Sequence, residues 1–271
     1  MSFRAANEIP LGTIDVLDFA MRSSETLREA LERAARYYSI IDDRSELRLE
    51  ESLGVARLVV SREIATSPRV ATELLFALLL ARGRELTGRP WPLREVCFLA
   101  GPPSDPTAHE DFFGAKVRFS SGRNEIVFDA SALDAPCIAH DQALATFFDR
   151  HADGMLEELA ERISFVRKVK VAIGAALVDS DPAVDATAKR LAMSSRTLQR
   201  RLEECGTSHK ELVEDARREL TLKLLADPAV PIPQIAYRVG FCDTSTFYRA
   251  FKRLTGSTPG LYRRGEARPM N

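Results

Sequence analysis

The feature that most constrains this chain is a motif that occurs twice in its second half. "TAKRLAMSSRTLQRRLEECG" runs from Thr187 to Gly206, and "IAYRVGFCDTSTFYRAFKRLTG" from Ile235 to Gly256. Each has an alanine, then an arginine two residues on, then an aliphatic residue: Ala188, Arg190 and Leu191, against Ala236, Arg238 and Val239. A two-residue turn follows, Ala192–Met193 or Gly240–Phe241, and then a helix-capping residue, Ser194 or Asp243. Four residues past each cap stands Leu198 or Phe247, and four further on Leu202 or Phe251. The copies are offset by 48 residues at the alanines and 49 at the apolar pair.

The residue types dictate a geometry. A small alanine lets a first helix approach a second closely, and the aliphatic residue after the arginine anchors it. The turn redirects the chain, and the i, i+4 apolar pair buries the inner face of the second helix. The pattern is a duplicated helix–turn–helix. Left outward are Arg196, Gln199 and Arg200 in the first copy, and Thr244, Ser245, Thr246 and Arg249 in the second. Such side chains pair with base edges in a major groove: Arg with guanine, Gln with adenine, Thr with either edges or a thymine methyl. One such helix alone could equally be a solvated surface helix; two matched copies argue otherwise. Between them, "SHKELVEDARRELTLKLLADP" predicts a long helix, capped near Ser208, stopped before Pro228, with Leu212, Ala216, Leu220 and Leu224 on its apolar side. A rigid helix would fix the separation of two reading units, which should be roughly 34 Å to meet one face of DNA.

Charge divides the chain in the same place. Residues 1–161 carry 18 Lys/Arg and 27 Asp/Glu, and residues 162–271 carry 20 and 12. An acidic half joined to a basic half implies two domains with different partners. With 271 residues, 45% of them hydrophobic, both can bury a core. The longest apolar runs, Leu74–Ala81 and Val171–Val178, are far too short to span a membrane. The N-terminal residues have no apolar signal region, and Cys97, Cys137, Cys205 and Cys242 are scattered. A cytoplasmic protein with reduced thiols is expected. Cys205 and Cys242 are expected to be small buried residues.

The first half predicts an α+β domain. "TLREALERAARYYSII" has helical spacing, with Ser23 or Ser24 placed to cap it. "SELRLEES" and "GVARLVVSREI" alternate around Gly54 as a hairpin. Ser67 and Pro68 open a helix that is apolar on most sides and ends at Gly88 and Pro90. "PLREVCFLA" predicts a strand, and "AKVRFSSGRNEIVFDASAL" a second hairpin around 121–124.

This half offers little chemistry. "GRELTGRP" has phosphate-loop glycine spacing, but Arg89 replaces the lysine and the segment ends a helix. His109 lacks the second histidine of a zinc helix, and Asp105, Glu110 and Asp111 suggest a solvated loop. Trp91 between two prolines suggests a packing anchor; in the second half, Thr258 of "GSTPG" stands where a nucleophile elbow needs serine. No nucleophile, base, metal or cofactor set can be nominated, so an enzyme is not expected.

On "LAMSSRTLQRRLEECGTS", "ARRELTLKLL" and "IAYRVGFCDTSTFYRAFKRLTGSTPGLYRR", the segment from Phe165 to Arg264 resembles the AraC-type DNA-binding domain. The resemblance implies an all-α domain of two helix–turn–helix units joined by a helix, binding double-stranded promoter DNA through successive major grooves. By position it places base readers on Arg196, Gln199, Arg200, Thr244, Ser245, Thr246 and Arg249, with phosphate contacts on Ser194, Arg201, Lys252 and Arg253. "IPLGTIDVLDFAMRSSETLREALERAARYY" and "FFGAKVRFSSGRNEIVFDASALDAP" are similar to the arabinose-binding-like effector domain of the same family. Such domains carry a further stretch before the "PLG" segment, near which this chain begins; a truncated chain, a late start or a short variant would each account for that. The expected division is 1–160 for effector binding or dimerisation and 161–271 for DNA. A small-molecule effector, a homodimer and, for an activator, RNA polymerase are the further partners implied. Two alternatives stand: a DNA-binding module whose first half only dimerises, and an enzyme fused to a DNA-binding domain.

Overall fold

The computed structural model describes residues 10, 12, 15–62, 69–178 and 182–264. The chain forms two compact units, Met1–Leu159 and Ala160–Asn271.

In the first unit α1 (Asp15–Arg22) and α2 (Leu27–Tyr37) precede strands β1 (Ser45–Ser52) and β2 (Val55–Arg62). Then come α3 (Arg69–Thr87), β3 (Leu93–Cys97), α4 (Thr107–Phe113), β4 (Lys116–Arg118) and β5 (Asn124–Asp129). The five-stranded sheet has the order β1-β2-β5-β3-β4. The β1–β2 hairpin forms as expected, with Leu53 and Gly54 at φ 52° and 76° in its turn, the paired positive dihedrals that match strand twist. The second hairpin does not form. β3 lies between β4 and β5, parallel to the first and antiparallel to the second. Ile126, Val127 and Phe128 in succession are buried, so β5 is an interior strand whose two edges are taken by β2 and β3. β4, at three residues, is left at the rim.

The cap of α2 also differs from expectation. Thr26 is the N-cap and accepts from the Glu29 N–H. Ser23 and Ser24 instead donate back to the Phe19 and Ala20 carbonyls and finish α1. The expected helix start at Ser67 and Pro68 lies outside the described residues; α3 ends at Gly88, φ 63°. Within α3, Gly83 lies against Trp91 so closely that a Cβ would come within 2.4 Å of its ring. The glycine spacing there serves packing: Trp91 is buried and meets Phe128 edge-on at 4.9 Å. The stretch expected as a loop around His109 is α4. Asp105 accepts from the Thr107 N–H at its start, and buried His109 bonds Glu73 of α3 at 2.8 Å. Arg82 of α3 is paired with Asp18 of α1 at 2.9 Å, both buried.

Helix α5 (Gln142–Val178) gives its first part to one unit and its last to the other. The second unit is helical: α6 (Val184–Arg190), α7 (Ser195–Glu204), α8 (His209–Leu225), α9 (Ile232–Arg238), α10 (Thr244–Thr255) and α11 (Pro259–Arg263). It has two cores. Leu198 and Leu202 of α7 pack with Ala188, Leu212, Val213 and the α5 residues Phe165, Val169, Ile173 and Leu177. Phe247 and Phe251 of α10 pack with Leu225, Ile235, Ala236 and Val239. The apolar side of α8 is shared, Leu212 and Ala216 going to the first core and Leu220 and Leu224 to the second.

Candidate nucleic-acid interface

Each reading helix is set by the helix before it. α6 ends in a six-residue wrap: Met193 N–H donates to Ala188 O and Ala192 N–H to Lys189 O. α9 repeats it, Phe241 N–H to Ala236 O and Gly240 N–H to Tyr237 O. Both are Schellman closures, with the residue after the C-cap in the left-handed region: Ala192 at φ 53° and Gly240 at φ 82°. The chain then enters an extended capping residue. Ser194 accepts from the Thr197 N–H, and Asp243 from the Thr246 N–H. The Thr246 hydroxyl also donates to Asp243, and these bonds hold its carboxyl below the usual aspartate range. Ala188 and Ala236 are buried at the crossings of α6 on α7 and of α9 on α10.

With Leu198 and Leu202 inward, Arg196, Gln199 and Arg200 are exposed on α7. With Phe247 and Phe251 inward, Ser245, Thr246 and Arg249 are exposed on α10, while Thr244 is half-buried. The expectation that Thr244 faces outward is thus met in part: it is the first helical residue after the cap, on the flank of the reading face. The reading side chains are held locally. Arg200 is paired with Glu204 at 2.9 Å, and Arg249 donates to Thr246 at 3.3 Å. Of the phosphate candidates, Lys252 and Arg253 are exposed beyond Arg249. Ser194 is exposed, its oxygen engaged as cap. Arg201 lies over the Phe165 ring, 4.0 Å from its centroid, a cation–π contact that draws it to α5.

Three features escaped the sequence reading. Phe165, Val169, Ile173 and Leu177 recur every four residues and close the first core; other apolar residues among them, such as Val166, Val171 and Ala172, hid the stripe. His209, at the start of α8, donates from Nε2 to Thr187 Oγ1 at 2.9 Å, because that hydroxyl itself donates to Ala183 O. Burial pushes its pKa down. Cys242 is exposed, contrary to expectation, and Cys205 is half-buried. Phe241 turns inward before the cap Asp243, so the residue between them points away from the core. At the start of α8, Ser208 and Glu211 form a reciprocal capping box, which lowers the Glu211 carboxyl pKa through its bond to the Ser208 side chain.

Among the described residues no group of three or more His, Cys, Asp or Glu is arranged to hold a metal ion, and no helix is long and apolar enough to cross a membrane.

Two helix–turn–helix units, built on one plan and joined by a shared helix, define a DNA-binding transcription regulator. The family "Arabinose-binding domain of AraC transcription regulator, N-term" matches residues 1–137, and a "Helix-turn-helix domain" family matches residues 187–265. The chain belongs to the AraC family of transcription regulators. It is 28% identical to the ornithine utilization regulator of Pseudomonas aeruginosa over 92% of this chain and 74% of that one. It is 26% identical to the HTH-type transcriptional regulator VirS of Mycobacterium tuberculosis, over 93% and 75%. The crystal structure of transcriptional regulator CdpR from Pseudomonas aeruginosa aligns with 97% of this chain and 86% of that chain, at 21% identity and a TM-score of 0.45.

Proposed function

We propose that the chain reads promoter DNA with α7 and α10 in successive major grooves. The observation that carries this is the same division of each helix, an i, i+4 apolar pair wholly inward and hydrogen-bonding side chains outward. Arg196, Gln199 and Arg200 are the base readers of the first unit, and Thr244, Ser245, Thr246 and Arg249 those of the second. Lys252 and Arg253 touch phosphate, with Ser194 and Arg201 at the margin of the first contact. Residues 161–271 carry this work. Residues 1–160 bind a small-molecule effector and dimerise the chain; the match to the arabinose-binding domain family supports the effector role. As an activator it would engage RNA polymerase. The protein is cytoplasmic and is not an enzyme, a reading supported by its family.

A scan of operator substitutions against Arg200→Ala and Arg249→Ala tests the assignment. Arg200→Ala should relax preference in one part of the operator and Arg249→Ala about one helical turn away, each by roughly 1–3 kcal/mol for a bidentate contact. Equal loss of affinity for every operator variant would make both arginines phosphate contacts.

A further inference from the structure

We infer that the second reading unit carries a binding site for a small organic anion with an aromatic body, in the open cavity between α8 and α10. The cavity holds about 460 Å³, within the range of roughly 300–1,000 Å³ for small-molecule sites. Its charge is lopsided. Arg217 and Arg218 reach it from α8, Arg249 and Arg253 from α10, and among its lining residues Glu214 is the lone carboxylate. Among the described residues none of the four arginines is in a salt bridge. The rest of the wall is mixed, with Thr221, Thr246 and Thr255 beside an apolar part formed by Phe241 and Ala250 and the buried pair Phe247 and Phe251.

Arg217 is the centre of the site. It is half-buried, its guanidinium lies 5.5 Å from the centroid of the Phe241 ring, and its Nε is buried without a hydrogen-bond partner. That Nε–H is closed off from the cavity, so a carboxylate or sulfonate would accept from the Nη groups of the guanidinium, which have no hydrogen-bond partner among the described residues. Phe241 beside it gives a flat ring something to lie against. A DNA phosphodiester offers the same charge without the aromatic body, so the two sources are separable.

The site has a regulatory consequence. Thr246 and Arg249 also border the cavity, so an occupant holding Arg249 inward would oppose its reach to a base. That consequence rests on the proposed base-reading role; the site itself does not.

The test is a titration of the intact chain, without DNA, with the fluorescent anion anilinonaphthalenesulfonate and with neutral phenylnaphthylamine. The sulfonate should saturate at one per chain, and the neutral dye should not saturate. Arg217→Gln should weaken the sulfonate about tenfold or more, the scale of one charge-assisted hydrogen bond, and Arg217→Lys by less. Ala250→Leu, which fills the cavity and leaves every arginine, should abolish saturable binding, with folding of each variant checked by its melting temperature. The sulfonate should also displace a random-sequence duplex from the parent chain and not from Ala250→Leu. Equal binding of the two dyes, or unchanged sulfonate affinity in folded Arg217→Gln and Ala250→Leu, overturns the site. Displacement of the dye by inorganic phosphate as readily as by benzoate also overturns it, since the cavity would then be a phosphate contact. Dye binding that depends on Arg217, alongside an Arg249→Ala variant with unchanged operator preference, upholds the site and removes Arg249 from base reading.

Discussion

The two helix–turn–helix units share a backbone scheme and almost no chemistry. Each has a buried alanine at the helix crossing, a Schellman turn, a capping oxygen and an inward apolar pair. The first fills its core with leucines and closes it with α5; the second uses phenylalanines that meet Phe241 and Tyr262 edge to face. The first presents two arginines and a glutamine, the second mostly hydroxyls and one arginine. What the plan requires is therefore narrow: a small crossing residue, a left-handed turn position and a cap. Core volume and reading chemistry vary around it.

The largest expected effect tests whether the cores are independent of the sheet unit. Phe247→Ala should cost about 3–5 kcal/mol and Leu198→Ala about 2–5 kcal/mol, the range for deleting a fully buried side chain. Both residues are at most 1% exposed. Trp91 is the single tryptophan and sits in the sheet-bearing unit, residues 1–159, so its emission follows that unit during urea unfolding while far-ultraviolet circular dichroism also follows the helices. Each substitution should move the helical transition and leave the Trp91 transition in place. If both transitions move together, the chain unfolds as one cooperative body and the comparison of separate cores fails.

The difference between the two units also explains what could be read from sequence. The reading helices were legible because amphipathic spacing, caps and turns are local, and two copies corroborate each other: Leu198 and Leu202, Phe247 and Phe251 all lie inward. The β1–β2 hairpin was legible for the same reason, its turn lying between the strands it joins. The insertion of β3 between β4 and β5 was not, because strand order depends on which edges of β5 are covered, a long-range matter absent from any window of sequence. The α5 stripe was hidden by apolar neighbours such as Val171, which is exposed. His209 was passed over because its partner Thr187 is 22 residues away.

A smaller effect sharpens the turn comparison. Both turns need a left-handed residue, and only one has glycine. A side chain there costs roughly 1–2 kcal/mol, partly offset in Ala192 because alanine restricts the unfolded chain more than glycine does, by about 0.4–1 kcal/mol. Gly240→Ala should destabilise by about 1 kcal/mol or more, since its Cβ would also stand 3.4 Å from Arg217 Nη2. Ala192→Gly should stabilise by less than about 1 kcal/mol. Opposite signs in thermal melts are the expected result; a loss in both would mean that Ala192 makes contacts that outweigh its strain.

The smallest effect is in pH, where the units should part company. His209 belongs to the first unit, and burial lowers its folded pKa; Glu203, Glu214, Lys210 and Arg217 border the same groove. Above the ordinary histidine value of about 6.5 both states hold it neutral and it has no effect. As pH falls through that value the unfolded chain takes up the proton first, so the first unit loses stability until the lowered folded value is reached. Asp243 caps the second unit, and its folded pKa is lowered by the Thr246 hydroxyl and N–H. Its contribution is fully present above the ordinary aspartate value of about 3.9 and is lost as pH falls through the lowered one. Ser194, the matching cap of the first unit, does not titrate. His209→Gln should therefore flatten the fall in stability that begins below about pH 6.5, and Asp243→Asn, which keeps a capping oxygen, should flatten part of the fall below about pH 4. Glu211 titrates in the same acidic range through its capping box, so a remaining slope there in Asp243→Asn is expected. A His209→Gln variant that kept the parent's loss on acidification below about pH 6.5 would place that titration elsewhere and remove the pH distinction between the two units.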